Sequence, residues 1–464
     1  MPRLSIGYIV DHPKRDLPGA VQFAHALLGR GCNAYIIPLY DQANDVPLLP
    51  LDALIVNFAR PANFDLVRAY HAMGLPVWVM DTEGGNHTVA GSNTPSRLAQ
   101  LLRERGFSPL LAGHFFWGQA LRNEFALQCG MAENQLVATG CPRFDYASAR
   151  WAGLLQPPHE PGYVLVNSNY SLINPRFSKS LDVERAAMVS AGWQADYVNQ
   201  LIGDLQRAFT SFAEATVALA ASLPNQRFVY RPHPFENHDF YRGRFAQVPN
   251  VVVDGEGSVL AAIAHSSCVV HLNCATAVES MMLGKLPISL EYLNTQTLLQ
   301  HAPLPSQISL HAKSFEHAAQ CVSDPSLASA NFDFRGLYDR YVLPWFHCND
   351  GAAADRMADV LLTAVTPRRL RRSLKAIVTG GRTQVSLGQL VQGCMAAGLG
   401  SWLTSRVRAR IQVRRQDKLY DAKVIQAALA ELACHEHSRS PLVRQARHPW
   451  TGFPLSSVLC SLDD

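Results

Sequence analysis

Apolar residues along this chain come in short runs separated by stretches of helical spacing, the rhythm of strands alternating with helices. Runs at 4–10, 34–38, 53–57, 76–80 and 137–138 predict strands in a first half. Runs at 163–167, 227–230, 251–253, 268–271 and 287–290 predict strands in a second. Segments 20–30, 95–105 and 199–221 carry apolar residues three and four apart and predict helices between them. That alternation argues an α/β fold with parallel sheets, most simply two tandem Rossmann-like units. The first is expected over 1–150 and the second over 151–365, with the boundary near Thr139-Gly-Cys-Pro-Arg-Phe-Asp145 and the proline-rich Gln156-Pro-Pro-His-Glu-Pro161 that follows.

Charge adds a third piece. From 366 to 464 there are 16 Lys/Arg against 6 Asp/Glu, whereas 25 stand against 31 before it, so the last stretch is expected to be a separate, basic, helical tail. In Arg368-Arg-Leu-Arg-Arg-Ser-Leu-Lys375 and Arg406-Val-Arg-Ala-Arg-Ile-Gln-Val-Arg-Arg415, basic and apolar residues mix as on helices that lie against anionic surfaces. A solvated helical face packed on the body fits the same pattern. The chain enters its first strand without a basic n-region and apolar h-region, and no apolar run nears the roughly 18 residues a spanning helix needs. The ten cysteines are scattered, without C-x-x-C pairs, as expected of reduced thiols. A cytoplasmic protein, free or peripheral to the inner membrane, is therefore expected, with no nucleic-acid partner.

The densest chemistry lies in Val269-Val-His-Leu-Asn-Cys-Ala-Thr-Ala-Val-Glu-Ser-Met-Met-Leu-Gly-Lys-Leu-Pro-Ile-Ser-Leu290, which reads as strand, helix, strand. Asn273, Cys274, Ala275 and Thr276 fall where a helix of small residues opens beyond a strand end. Backbone N–H groups there, with the positive end of the helix dipole behind them, make a phosphate seat. Glu279, one turn in, can reach hydroxyls beyond the phosphate, as acidic residues do for ribose in doubly wound folds. Just upstream, Arg231-Pro-His-Pro-Phe-Glu236 follows a predicted strand, where open α/β sheets bind ligands. His233, flanked by two prolines, is a pre-organised imidazole able to donate to a phosphate oxygen or protonate a leaving group, although a plain turn is also consistent. Asn167 and Asn169, after the first strand of the second half, are placed to line the same ligand, or simply to form a polar loop.

In the first half, Asp81-Thr-Glu83-Gly-Gly85 puts two carboxylates and two glycines at a strand end. Either carboxylate could take a proton from an attacking hydroxyl; a metal-binding pair and an Asp-capped turn are the other readings. Asp350-Gly-Ala-Ala-Ala-Asp355 reads as a helix start capped by its own aspartate. Cys434-His-Glu-His437 has metal-ligand residue types at too short a spacing. Phosphate-loop, dinucleotide and serine-hydrolase signatures are absent from the sequence.

Together these segments resemble GT-B-fold glycosyltransferases of bacterial surface-carbohydrate (capsule and lipopolysaccharide) biosynthesis, related to sialyl- and Kdo-transferases. Residues 139–145 look like the passage into the donor domain, His233-Pro234 matches the His-Pro motif of enzymes using CMP-activated sugars, and Thr82-Glu83-Gly84 resembles their acidic-acidic-Gly motif. The resemblance implies inverting, metal-independent transfer from a nucleotide-activated sugar, CMP-sugar in preference, to a glycan or lipid-linked glycan, in a cleft between two domains. It makes Glu83 the base, with Asp81 its local rival, and His233 the donor-phosphate ligand; the nucleotide-sugar is a substrate, and no cofactor is implied. Thr82 departs from the usual first acidic residue, and only Thr276, or Ser266-Ser267, represents the expected Ser/Thr motif. Transfer from a CDP-glycerol or CDP-ribitol donor, and a non-catalytic nucleotide-binding subunit of a glycan-assembly complex, remain open.

Overall fold

A computed structural model describes residues 3–85, 94–176, 180–190, 192–367, 374–382, 384–396 and 418–462. The chain divides into two compact units: Met1–Gly84, Ala99–Asp145 and Phe346–Asp464 form unit 1, and Gly85–Leu98 with Tyr146–Trp345 form unit 2. Each is built on its own mostly or wholly parallel sheet, the two doubly wound halves of a GT-B-like fold.

Unit 1 contains β1 (Ser5–Val10), β2 (Asn33–Pro38), β3 (Ala53–Val56), β4 (Val77–Met80), β5 (Leu111–Phe116) and β6 (Leu136–Ala138), with β13 (Leu442–Arg447) and β14 (Pro454–Ser461). Their order is β13-β14-β2-β1-β3-β4-β5-β6. The first six strands run parallel, with Ile6 opposite both Ala34 and Ala53. β5 escapes the run pattern because Gly113 and His114 interrupt it. A side chain at Gly113 would lie 2.1 Å from the Trp78 ring, so the gap in the pattern is the space that indole fills.

Unit 2 contains β7 (Tyr163–Asn167), β8 (Phe228–Arg231), β9 (Val251–Val253), β10 (Ser266–His271), β11 (Pro287–Ser289) and β12 (Leu310–His311), ordered β12-β11-β10-β7-β8-β9 and parallel throughout. Successive side chains of a strand point to opposite faces, and here both faces are covered. Val164, Val166, Tyr230 and Val270 pack with Phe212 and Leu219 of the helix Ala195–Ser222, while Leu165, Val229 and Val269 pack with Ala262 and Ile263 of the helix Val259–Ala264. Phe212 is wholly buried; truncation to alanine should cost about 3–5 kcal/mol.

Three expectations change. The chain leaves unit 1 after Asp145 and returns at Phe346, earlier than the expected breaks at 150/151 and 365/366. The helix Ala353–Ala364 is not capped by Asp350. Asp145 caps it instead, accepting the N–H groups of Ala353 and Ala354 at 3.0 and 2.9 Å, while Arg356 Nε donates to the carbonyl of Thr139 at 2.8 Å. This distant cap is why the returning chain belongs with unit 1. Finally, 366–464 is not a separate helical tail. It groups with unit 1, and although Leu374–Thr379, Leu387–Ala396 and Ala422–His435 are helical, it ends in the β13–β14 hairpin. β14 pairs antiparallel with β2, and wholly buried Val458 and Cys460 anchor it there. The expected surface-binding clusters lie outside the described residues: all of 406–415, and 368–373 of the other.

Candidate functional site

In unit 2 the candidate residues gather at the C-terminal ends of three adjacent strands. Asn167 ends β7 beside Arg231 of β8 on one side and His271 of β10 on the other. Asn167 Nδ2 donates to Thr276 Oγ1 at 2.9 Å, joining the loops after β7 and β10. Its Oδ1 is buried and, among the described residues, has no hydrogen-bond partner. Such an acceptor costs free energy until a donor reaches it. Asn169 lies exposed two residues on.

His233 sits in a turn closed from both directions. Glu236 N–H donates to the carbonyl of His233 at 2.9 Å, and His233 N–H donates to Glu236 Oε1 at 3.0 Å. Phe235 N–H donates to His233 Nδ1 at 3.2 Å, so the neutral imidazole carries its proton on Nε2, the nitrogen on the far side of the ring. The Arg231 guanidinium donates to the carbonyls of Glu256 and Gly257, both at 2.6 Å, and so fixes the loop after β9.

Beyond β10 the chain turns sharply at Asn273, a non-glycine residue at φ 52°. A reciprocal amide pair holds it: Asn273 Nδ2 donates to Asn294 Oδ1 at 2.7 Å, and Asn294 Nδ2 to Asn273 Oδ1 at 3.1 Å. The turn opens the helix Thr276–Met282, with Ala275 exposed at its start. Not every N–H there is open: Ala277 and Val278 donate to the carbonyls of Cys274 and Ala275 at 3.1 and 2.9 Å, and Cys274 N–H donates to His271 Nδ1 at 3.4 Å. Burial pushes the Cys274 thiol up to about 11, against the hydrogen bonds from Thr276, so it is no thiolate nucleophile. Glu279 is buried, and its negative charge adds to that rise.

Unit 1 presents a different chemistry at its strand ends. After β4, Glu83 N–H donates to Asp81 Oδ1 at 2.9 Å, a turn capped by its own aspartate. Arg60, beyond β3, reaches both carboxylates: Nη1 to Glu83 Oε2 at 2.9 Å, and Nη2 to Asp81 Oδ1 and Oδ2 at 3.1 and 3.2 Å. Arg15, beyond β1, lies 3.8 Å from Glu83 Oε1 and donates to Asp16 and Asp11. Lys418 Nζ donates to Asp11 Oδ1 at 2.9 Å. Alongside lies a small recess lined by Tyr8, Asp16, Gly19, Met80, Thr82, Cys141 and Arg143. Arg60 stands where a cation bridging Asp81 and Glu83 would sit, which disfavours the metal-pair reading. His12, buried among these groups, is pushed down to about 4 by burial and by the charges of Lys418 and Arg15.

Sequence reading found the strand ends but missed most partners. Arg60 follows the run 53–57 as Asp81 follows 76–80, so charged residues just past each apolar run would have signalled it. Lys418, 407 positions from Asp11, left no such signal. Asn294 acts through a contact that spacing does not reveal.

No family model matches the sequence, and no curated protein does either. Among solved structures the chain is similar to the wall teichoic acid polymerase TagF, at 10% identity over 78% of this chain and 89% of that one, with a TM-score of 0.50. It is also similar to UDP-GlcNAc 2-epimerases from Methanocaldococcus jannaschii, in complex with UDP-GlcNAc and UDP (10% identity, 78% of this chain, 100% of that one, TM-score 0.46), and Neisseria meningitidis, bound to UDP-GlcNAc (13%, 77%, 99%, 0.47). At such identities the likeness is one of fold alone.

Proposed function

We propose that this chain is a glycosyltransferase that moves a sugar from a nucleotide-activated donor to a surface-glycan acceptor, with unit 2 holding the donor. The observation that carries the reading is the pair of complementary groups at the ends of β7 and β8. His233 has its proton assigned to Nε2, a donor suited to a phosphate oxygen, and the unpartnered Asn167 Oδ1 is an acceptor suited to a ligand hydroxyl. In unit 1, Glu83 is the base that takes the acceptor hydroxyl's proton as it attacks the anomeric carbon; the nucleotide leaves with the bonding electrons, and configuration inverts. Developing charge on the leaving phosphate falls to His233 and the turn at 273–276 rather than to a metal ion. CMP-sugar is the preferred donor. The His-Pro pair fits a CDP-glycerol or CDP-ribitol donor as well, which makes phosphotransfer the second reading. The basic clusters at 368–375 and 406–415 would hold the enzyme on an anionic membrane bearing a lipid-linked acceptor, and the full chain should then sediment with anionic but not neutral vesicles.

The test is a thermal-shift panel of CMP, CDP, UDP and GDP on the full chain. A ligand at a hundred times its Kd adds about 2.7 kcal/mol of stability. A shift with a cytidine nucleotide that is lost in His233→Ala supports the reading, since one charge-assisted hydrogen bond should cost about 1.5–3 kcal/mol. No shift with any of the four, or an equal shift in the variant, overturns it.

A further inference from the structure

Among the described residues of unit 2, Glu236 is the side chain with the most hydrogen bonds, and it has no part in the chemistry proposed above. It is wholly buried. An isolated carboxylate at such depth costs several kcal/mol, so its surroundings must answer it. Ser168 Oγ donates to both its oxygens at 3.0 and 3.1 Å, Tyr170 N–H donates to Oε1 at 3.1 Å, His233 N–H donates to Oε1 at 3.0 Å, and the Tyr241 hydroxyl donates to Oε2. Burial still pushes its carboxyl above the ordinary carboxylate range.

The donors come from three places: the loop after β7, the loop after β8, and the helix His238–Arg244. A carboxylate accepts from several directions at once, which neither an amide nor an apolar side chain of the same volume can do. The same two loops are tied again at their edge, where Arg176 N–H donates to the carbonyl of Phe235 at 2.8 Å and Asn237 N–H to that of Asn174 at 2.9 Å. Between these ties lies the closed turn that sets the tautomer of His233.

We infer that Glu236 is a positioning residue: its buried carboxylate locks the His233 turn against the Ser168–Tyr170 loop, so that His233 and Asn167 meet one nucleotide ligand in fixed geometry. The inference rests on the donor-site reading proposed above and assigns the loop geometry of that site to a residue that does not touch the ligand.

If so, the contribution of Glu236 to binding passes through His233, and the two must be coupled. Calorimetric titration of the full chain with CMP and with CDP, in a double-mutant cycle of Glu236→Gln and His233→Ala, reads that coupling. Glu236→Gln alone should weaken binding about tenfold or more, whereas in the His233→Ala background the same change should cost less than about twofold. Tyr241→Phe removes one donor to the carboxylate from the helix His238–Arg244, outside the two ligand loops. It should weaken binding severalfold, again only while His233 is present, and it decides the matter if Glu236→Gln does not fold. Native-like affinity in the folded variants, or losses that simply add to that of His233→Ala, overturn the positioning role. A native chain that binds neither nucleotide overturns the donor-site reading itself, a distinct outcome.

Discussion

The strand ends of the two units solve the problem of polar groups in opposite ways. In unit 1, charge answers charge: Asp11, Asp16, Asp81 and Glu83 face Arg15, Arg60 and Lys418, most of them part-exposed. In unit 2, neutral donors answer one deeply buried carboxylate, and amides pair with amides. Part-exposed ion pairs that water can reach exchange a partner at lower cost than fully buried ones. Buried hydrogen-bonded networks do not rearrange without leaving something unsatisfied. Under the function proposed above, the contrast would suit unit 1 to a group that changes its partners during a reaction and unit 2 to a rigid seat.

The largest effect should come from separating the two unit 1 carboxylates. Glu83→Gln is expected to lower turnover by roughly 10²-fold or more while nucleotide affinity stays unchanged. If steady-state kinetics show Asp81→Asn inactive and Glu83→Gln active, the base is Asp81 and Glu83 serves only to hold Arg60.

A smaller effect tests whether a buried carboxylate in unit 1 behaves like the one in unit 2. Asp145→Ala removes both side-chain hydrogen bonds to the start of the helix Ala353–Ala364 and should cost about 1–3 kcal/mol in urea unfolding, with nucleotide affinity intact. A change in CMP or CDP affinity would mean the two carboxylates do not divide into fold and site as described.

The smallest effect concerns acid. Burial pushes His12 in unit 1 to about 4 and His271 in unit 2 to about 3, from an ordinary value near 6.5. The unfolded chain therefore takes up these protons first, and the stability that the neutral rings contribute is complete above pH 6.5 and lost as pH falls through the folded values. Asp45 and Asp145, each raised to about 7 mainly by burial, act with the opposite sign: their contribution is present below the ordinary carboxyl value near 3.8 and lost as pH rises through about 7. The native profile between pH 4 and 7 should accordingly be shallow. In His271→Gln, stability should improve relative to the native chain as pH falls from 6.5 to 4; a constant offset between the two urea midpoints would remove the histidine from the account.

How much of this was legible beforehand depended on range. The run 163–167 marks β7 to the residue, because a strand buried on both faces has an uninterrupted apolar sequence; the run 251–253 marks β9 as well, although that edge strand is part-exposed. β5 was hidden by Gly113, whose role is to admit Trp78, and β14 by the consecutive serines Ser456 and Ser457 that break its apolar run. At the site, His233, Asn167 and the turn at 273–276 were visible because each directly follows a strand run. Arg60 follows a strand run too and was legible by the same rule, whereas Asp145 as a cap and Lys418 were not, since what defines them is a partner far along the chain.

The pairing of β14 with β2 also sets an order of assembly. Unit 1 is interrupted by unit 2, whose residues 146–345 are continuous, so during synthesis unit 2 is complete while unit 1 still lacks its final hairpin. At roughly 5–20 residues per second, β2 waits on the order of tens of seconds for β14 to be made. Through that interval β2 is a bare sheet edge, a template for pairing with the wrong strand. The nascent chain is therefore most exposed to misassembly at the edge of its first-made sheet, and the β13–β14 hairpin acts as the closing latch of biosynthesis as well as a part of the finished fold.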